Sequence, residues 1–378
     1  MILTFSDLAA KGLLPLFLLF ILVLLFLRLG TKATTRMERL ITFPLAWLIL
    51  TVAPTFRVID GTLSNVGRPG DADKYREQFL SSAGAEGIPL GSSGTTGATE
   101  PLYLLLIRLL RQVTDNPHVF FFIMYGLIAF GFVYFAAKTL RADTPILPLI
   151  IMFPAWLHSF SGIRNWVGIA LVLVGFVWYM RGKTLTYYLF VALATGFHFS
   201  AALLFLLPTV IWLLFRRKGV MWAVSVLVII NILSVSLSGV LSSLLRGTRY
   251  EAYLVLESSD FTLVLPMAIL TFVGILFVQP SDSFSMREKR LVNMPIFMAG
   301  VITMILNYGG YRYVLYPVLP LAVVSAWALM TLPARFPNSH PTQLAWKFGI
   351  YGTVFIWTAI NLSSVLRFTT VFPVIWGP

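Results

Sequence analysis

The stretch GLLPLFLLFILVLLFLRL, residues 12–29, carries one charged side chain, Arg28, in an otherwise apolar run. A helix of about 20 apolar residues spans the hydrocarbon core of a bilayer. The run is longer than a typical signal-peptide core, and the basic residues Lys32 and Arg36 follow it rather than precede it. We therefore interpret it as a retained membrane span with the N-terminus outside the cytoplasm.

The rest of the chain repeats this apolar pattern. Of its 378 residues, 58% are hydrophobic and 11% are charged, more apolar surface than a soluble domain could cover. Continuous apolar runs favour helices over barrel strands. We predict an all-α polytopic integral membrane protein, one domain over residues 1–378, with about 12 transmembrane helices. The predicted spans lie near 12–29, 41–56, 117–137, 144–158, 164–180, 185–198, 199–215, 220–237, 261–278, 291–307, 313–330 and 348–362.

The positive charge is concentrated between the apolar runs. The net charge is +13, and short basic loops on one side of the predicted topology hold nearly all of the excess. This is the positive-inside pattern of a membrane protein, and it argues against nucleic acid as a partner. It places the loops in the cytoplasm and both termini outside. The basic segments are 28–39, 138–141, 181–183, 216–218, 287–290 and 335–347.

Two long segments are predicted outside the membrane, at 57–116 and 238–260. The first contains a Gly/Ser/Thr-rich stretch at 91–97, which we interpret as mobile, and then an apolar run that includes Arg108 and Arg111. Because arginine is costly at the bilayer centre, we predict an amphipathic surface helix there, with Pro101 in its first turn.

Charged or ionisable residues near the outer ends of the spans are candidates for function. Arg164, followed by Asn165, begins a predicted span, and its guanidinium could bind a phosphate or extend to lipid headgroups. His198 interrupts an apolar stretch where two helices meet; it could transfer a proton or be satisfied by a carbonyl.

The outer loops supply further candidates. Arg249 and Tyr250 lie in the second loop, which could bind phosphate or be only solvated. Tyrosines around Arg312 could stack on sugars while the arginine binds an anion, or could form an interfacial belt. The carboxylates could act as a base or bind sugar hydroxyls. These tyrosines are Tyr308, Tyr311 and Tyr313; the carboxylates are Asp71 and Asp73, near Tyr75, and Glu100.

The sequence has no cysteine, no paired metal-ligand spacing and no phosphate-binding glycine loop. We expect neither a metal nor a cofactor.

Several of these segments together resemble the EpsG family of Wzy-like polysaccharide polymerases, over roughly residues 57–330. The segments that carry the resemblance are Asp71/Asp73 with Tyr75, Glu100-Pro101-Leu102-Tyr103, Gly162-Ile163-Arg164-Asn165 with Gly168-Ile169-Ala170-Leu171, Phe197-His198-Phe199-Ser200-Ala201-Ala202-Leu203, and Tyr311-Arg312-Tyr313.

The resemblance implies a GT-C-like glycosyltransferase in the bacterial inner membrane with periplasmic termini. It would join undecaprenyl-diphosphate-linked oligosaccharide repeat units on the periplasmic side without a metal. Because arginines aimed at the leaving diphosphate would stabilise its developing charge, our hypothesis is that Arg164, Arg249 and Arg312 share diphosphate binding, with His198 as base or as a diphosphate ligand. A chain-length regulator is left open as a partner. The alternatives are an O-antigen-ligase-like transferase and a non-enzymatic transporter of polysaccharide or lipid-linked sugar.

Overall fold

The computed structural model describes residues 13–55, 71–81, 100–160, 162–215, 261–298 and 315–367, and these contain helices and no strand. Five of the described helices are long and apolar enough to cross a membrane, which supports a polytopic membrane protein. The helices are α1 Leu13–Lys32, α2 Arg36–Thr55, α3 Asp71–Ser81, α4 Pro101–Arg111, α5 Pro117–Thr139, α6 Met152–His158, α7 Ile163–Met180, α8 Thr184–Phe197, α9 Leu207–Phe215, α10 Phe261–Val273, α11 Met286–Lys289, α12 Val318–Arg335 and α13 His340–Arg367.

The five candidate spans are α1, α2, α5, α7 and α12. Four shorter apolar helical segments also coincide with predicted spans: Leu147–His158, Thr184–Phe197, Phe199–Trp212 and Leu265–Val278. The predicted span 220–237 and the second outer loop, 238–260, lie outside the described residues, as does the stretch 91–97. The count of about 12 spans therefore stays a prediction.

A helix, α4, is present where a surface helix was predicted before α5; its place at the outer membrane surface stays a prediction. Glu100 precedes it in an extended conformation and Pro101 is its first residue, a position where proline costs no hydrogen bond. Leu105 and Leu109 are half exposed while Ile107 is buried. The helix therefore has one face against the protein and one apolar face turned outward.

Helix α7 lies at the centre of the bundle and is buried along most of its length. It packs on α5 and on α8. At Gly131 of α5, an added Cβ would lie 2.6 Å from the Ala170 carbonyl oxygen and 2.6 Å from its Cβ. Small residues allow transmembrane helix backbones to approach this closely.

Three of the basic segments meet at one end of the bundle. Arg141 donates through Nε and Nη2 to Oε1 of Glu288, at 2.8 and 2.6 Å, and its guanidinium lies 4.6 Å from the Phe284 ring centroid. Arg28 Nη1 donates to the Thr144 carbonyl at 2.8 Å. These contacts join the segments 28–39, 138–141 and 287–290.

The C-terminal end of α7 and the start of α13 reach the same end. Arg290 Nη1 donates to the Tyr179 carbonyl at 3.0 Å, and the Phe277 ring packs edge-on against Trp346 with centroids 4.7 Å apart. Five basic segments predicted to be cytoplasmic, or residues close to them in the chain, therefore meet at this end; the sixth, 216–218, lies outside the described residues.

The Arg141–Glu288 pair leads to a stability prediction. Burial raises the pKa of Glu288, but hydrogen bonds from Arg141 and Ser285 outweigh it and lower the pKa below its ordinary value of 4.5. A carboxylate with a depressed folded pKa stabilises the fold above its unfolded pKa, and this contribution is lost as the pH falls below that value.

We expect Glu288→Gln to lower stability at neutral pH by about 0.5–1 kcal/mol, the range of partly exposed ion pairs. Glutamine keeps the helix cap because its amide oxygen can still accept from the chain. Thermal unfolding in detergent should show the difference at pH ~7 and a smaller one at pH ~4. Asp282→Asn, an exposed acid of the same loop, is the control; an equal shift in both variants would contradict a specific pair.

Candidate active site

Arg164 forms a buried ion pair at the opposite end of α7 from the basic loops. It is the second residue of the helix, and its Nη1 lies 2.6 Å from Oε2 of Glu100, the residue that precedes α4. The Arg164 side chain is 19% exposed and that of Glu100 is 9% exposed. Because so much of the pair is removed from water, loss of either partner would leave a costly uncompensated charge.

Two tyrosine rings flank the Arg164 guanidinium. Its Cζ lies 5.3 Å from the ring centroid of Tyr103 on α4 and 5.6 Å from that of Tyr75 on α3, distances typical of cation–π contacts. The Tyr103 hydroxyl donates to Gln78 Oε1 at 2.9 Å, and burial raises its pKa well above the ordinary value. The guanidinium is therefore in contact with two aromatic rings as well as with Glu100.

His198 lies at the junction between α8 and the 3₁₀-helix Phe199–Leu206. It ends the first helix and caps the second, which confirms the predicted helix junction. The Ser200 backbone N–H donates to His198 Nδ1 at 3.2 Å, and Ser200 Oγ lies 2.8 Å from the same nitrogen. Ser200 Oγ also contacts Asn165 Oδ1 at 3.1 Å and the Tyr316 hydroxyl at 2.9 Å.

The two groups of side chains adjoin along α7. Arg164 and Asn165 are consecutive residues, one in each group. Gly168 lies one turn after Arg164 on the same face, and a Cβ there would be 3.6 Å from the Cβ of His198. Leu102 of α4 packs on Gly196 at the end of α8. The start of α7 therefore unites a guanidinium, a carboxylate and an imidazole in one region.

The remaining candidates are placed only in part. Asp71 and Asp73 belong to α3, the helix that also carries Tyr75. Six other candidates lie outside the described residues, so their place in the site stays a prediction. These are Arg249, Tyr250, Tyr308, Tyr311, Arg312 and Tyr313.

The structure adds residues that the sequence did not single out as part of a site. Ser200 joins His198, Asn165 and Tyr316, and Gln78 holds Tyr103. The cap of this helical segment is His198 itself, so the local signal for Ser200 was its place in the Phe197–Leu203 segment that carries the family resemblance. Tyr316 lies in a turn before α12 rather than within a helix.

The sequence model of the EpsG family matches residues 40–370. The chain belongs to the EpsG family. EpsG is a family of Wzy-like polymerases, so membership indicates a role in polysaccharide biosynthesis. A comparison with curated proteins and a comparison with solved structures gave no significant match.

The EpsG match covers every part of the site, from α3 to the turn before α12. The resemblance expected from separate motifs is confirmed over most of the chain. Across the described ranges, no three His, Cys, Asp or Glu side chains form a group that could hold a metal ion.

Proposed function

We propose that this EpsG-family protein is a polymerase that joins undecaprenyl-diphosphate-linked oligosaccharide repeat units at the periplasmic face of the bacterial inner membrane. The observation that carries the proposal is the buried Arg164–Glu100 pair beside Asn165 and His198. A buried ion pair next to an amide and an imidazole is not needed to anchor a helix in lipid. It is suited to receiving an anion at the end of a span.

The chemistry needs stabilisation of a developing negative charge. The acceptor hydroxyl oxygen forms a bond to the anomeric carbon of the donor sugar, and the bond from that carbon to the diphosphate breaks. The electron pair stays on the diphosphate, and the hydroxyl proton passes to a base. Positively charged groups aimed at the leaving oxygen stabilise this transition state without a metal.

Arg164 has the properties that this role requires. Glu100 holds one terminal nitrogen at 2.6 Å, and the rings of Tyr75 and Tyr103 lie within cation–π distance of the guanidinium. Its Nε is buried and has no hydrogen-bond partner among the described residues. A buried donor without a partner is costly, and a phosphate oxygen would satisfy it. Arg249 and Arg312 are proposed to add further charge to the same diphosphate.

Membrane confinement supplies the rest of the proposed mechanism. Both lipid carriers are held in one leaflet, so their reacting groups meet at a fixed depth, and orientation lowers the barrier further. A GT-C-like architecture and about 12 spans are part of this proposal. The proton acceptor is either His198 or one of the outer carboxylates Asp71, Asp73 and Glu100.

The test uses purified full-length protein and the lipid-linked repeat unit extracted from cells that lack this protein. We expect a ladder of polymers from this single substrate, with no added metal and in the presence of a chelator. A ligase would transfer the unit only to a different acceptor, and a transporter would form no glycosidic bond. Absence of a ladder from protein that is shown to be folded would therefore contradict the polymerase proposal.

A further inference from the structure

Arg111, the last residue of α4, is a second arginine at the predicted outer side that is largely removed from water. Its side chain is 10% exposed, and its Cζ lies 5.2 Å from the ring centroid of Phe79 on α3, a cation–π distance. The proposed chemistry at Arg164 makes no use of it. A buried guanidinium needs partners for its N–H groups, because each unpaired donor is costly.

The protein satisfies this guanidinium poorly. Asp115 Oδ1 lies 2.6 Å from Arg111 Nη1, but the Asp115 side chain is 88% exposed. Nη1 and Nε are both buried, and neither forms a hydrogen bond with a described residue. The pair is therefore a close contact of charges without a directed hydrogen bond, and a carboxylate this exposed contributes little. A phosphate oxygen can take its place at Nη1 once Asp115 turns into water.

Arginines at the opposite end of the bundle are satisfied by the protein itself. Arg141 donates to a carboxylate and to a backbone carbonyl, and Arg28 and Arg290 each donate to a backbone carbonyl. Among the described arginines, the buried nitrogens that lack a hydrogen bond belong to Arg111 and Arg164. Arg111 therefore shares the property that suits Arg164 to an anionic ligand.

Arg111 and the Arg164 pair lie at opposite ends of α4. Glu100, the partner of Arg164, precedes the helix and Arg111 ends it, which separates the two positions by about 16 Å along the axis. This is several times the spacing of the two phosphates in one diphosphate, which indicates two separate anion sites. Both guanidiniums also contact α3, through Tyr75 and Phe79, so both sites lie on the same side of the bundle.

We propose that Arg111 binds the diphosphate of the acceptor, the lipid-linked repeat unit that receives the chain, while Arg164 binds that of the donor. This inference rests on the proposed function. The reaction needs two lipid diphosphates at once, and at least one sugar separates the reacting hydroxyl of the acceptor from its own diphosphate. The two diphosphates therefore occupy different places at the same face. Leu105 and Leu109 of α4 are half exposed and suit contact with the prenyl chain.

Native mass spectrometry of the purified full-length protein with undecaprenyl diphosphate tests the site without turnover. We expect two bound copies in the wild type, and in Arg111→Gln an affinity for the second copy that is lower by about 10–100-fold. Asp115→Asn removes the competing carboxylate and should tighten the second copy by about two- to fivefold. Arg76→Gln, which removes an exposed arginine of α3, is the control and should still bind two copies.

Turnover assigns the second copy to the acceptor. The acceptor probe is a repeat unit with CH₂ in place of its anomeric oxygen, which cannot serve as donor, and the donor is polymer on undecaprenyl diphosphate. Arg111→Gln should raise the KM for this acceptor by about 10–100-fold and leave the KM for the donor unchanged. A general loss of folding would change kcat and both KM values together.

Three results would overturn the inference. Two copies bound equally well by wild type and Arg111→Gln would do so, as would a rise in the KM for the donor instead of the acceptor. Displacement of the Arg111-dependent copy by phosphatidylglycerol would assign the site to membrane phospholipid. Each of these leaves the polymerase proposal intact. Two copies that both survive Arg164→Ala combined with Glu100→Gln would contradict the proposed function, and this inference with it.

Discussion

Arg164→Ala is expected to lower the rate of polymer formation by about 10²–10³-fold, equivalent to about 3–4 kcal/mol in the activation barrier. The reason is the loss of a positive charge held, through Glu100 and two tyrosine rings, at the place proposed for the diphosphate. The measurement is the ladder assay with purified protein and lipid-linked repeat unit, at equal protein concentrations. Arg164→Lys should recover only part of the rate, because lysine lacks the planar fork of donors.

A second variant tests a structural explanation for that loss. Arg164→Ala leaves Glu100 buried without its partner, which by itself is expected to destabilise the protein by about 3–5 kcal/mol. In Arg164→Ala combined with Glu100→Gln, the unpaired charge is gone. We expect the thermal stability of this double variant to recover while its activity stays low. Recovery of both would show that Arg164 has only a structural role.

The matched control is Arg181→Ala, at the other end of the same helix. Arg181 is exposed and stacks on Trp178, with Cζ 5.3 Å from the ring centroid. It should lose little activity. Equal ladders from the Arg164 and Arg181 variants would contradict the placement of the diphosphate at Arg164.

Gly131→Ala is expected to produce the largest loss of stability among conservative changes in the described bundle. The added Cβ would lie 2.6 Å from the Ala170 oxygen and 2.7 Å from its Cα, so the backbones of α5 and α7 must separate. Overpacking of this kind costs about 1–3 kcal/mol and sometimes more. Thermal unfolding in detergent and the amount of protein in membranes should both decrease.

Gly352→Ala is the control for Gly131→Ala. Gly352 lies in α13 and a Cβ there would meet nothing within 4 Å. Alanine also favours helix over glycine, so this variant should be as stable as wild type or more so. Ala170→Gly should rescue Gly131→Ala only in part, because the clash with the Ala170 backbone remains. An unchanged unfolding temperature for Gly131→Ala would contradict the close approach of the two helices.

The apolar runs predicted most of the helices. In lipid the backbone N–H and C=O groups of each run must be hydrogen-bonded within that run, and a helix does this. Pro101 after Glu100 likewise predicted where α4 begins. The predicted span 199–215 is less regular than expected: its first half is a 3₁₀-helix. Pro208 lacks the N–H that an α-helix would direct to the Leu204 carbonyl, and the Tyr187 hydroxyl donates to that carbonyl instead, at 2.7 Å.

Helix α3 was not predicted. Its composition is polar, and the segment before it suggested only a long loop. Tyr75 and Phe79 are buried one turn apart, so an apolar pair at i and i+4 was the available signal. That signal is too short to separate a helix from a loop until α4 and α5 supply a surface to pack on.

The site could be predicted as a set of residues but not as a geometry. Charge near the outer ends of the spans, and then the family motifs, selected Arg164, His198 and Glu100, and the structure places them near the start of α7. The pairing of Arg164 with Glu100 joins positions 64 apart, and that of Ser200 with Tyr316 joins positions 116 apart. Such contacts depend on how the helices pack, which no local pattern contains.

The central claim is that the Arg164 guanidinium binds the diphosphate of the donor, and a structure of the protein with undecaprenyl diphosphate bound tests it most directly. We expect a phosphate oxygen about 3 Å from a guanidinium nitrogen of Arg164, with Glu100 still holding Nη1. A diphosphate bound beyond hydrogen-bonding reach of Arg164, with the Arg164–Glu100 pair unchanged, would contradict the account.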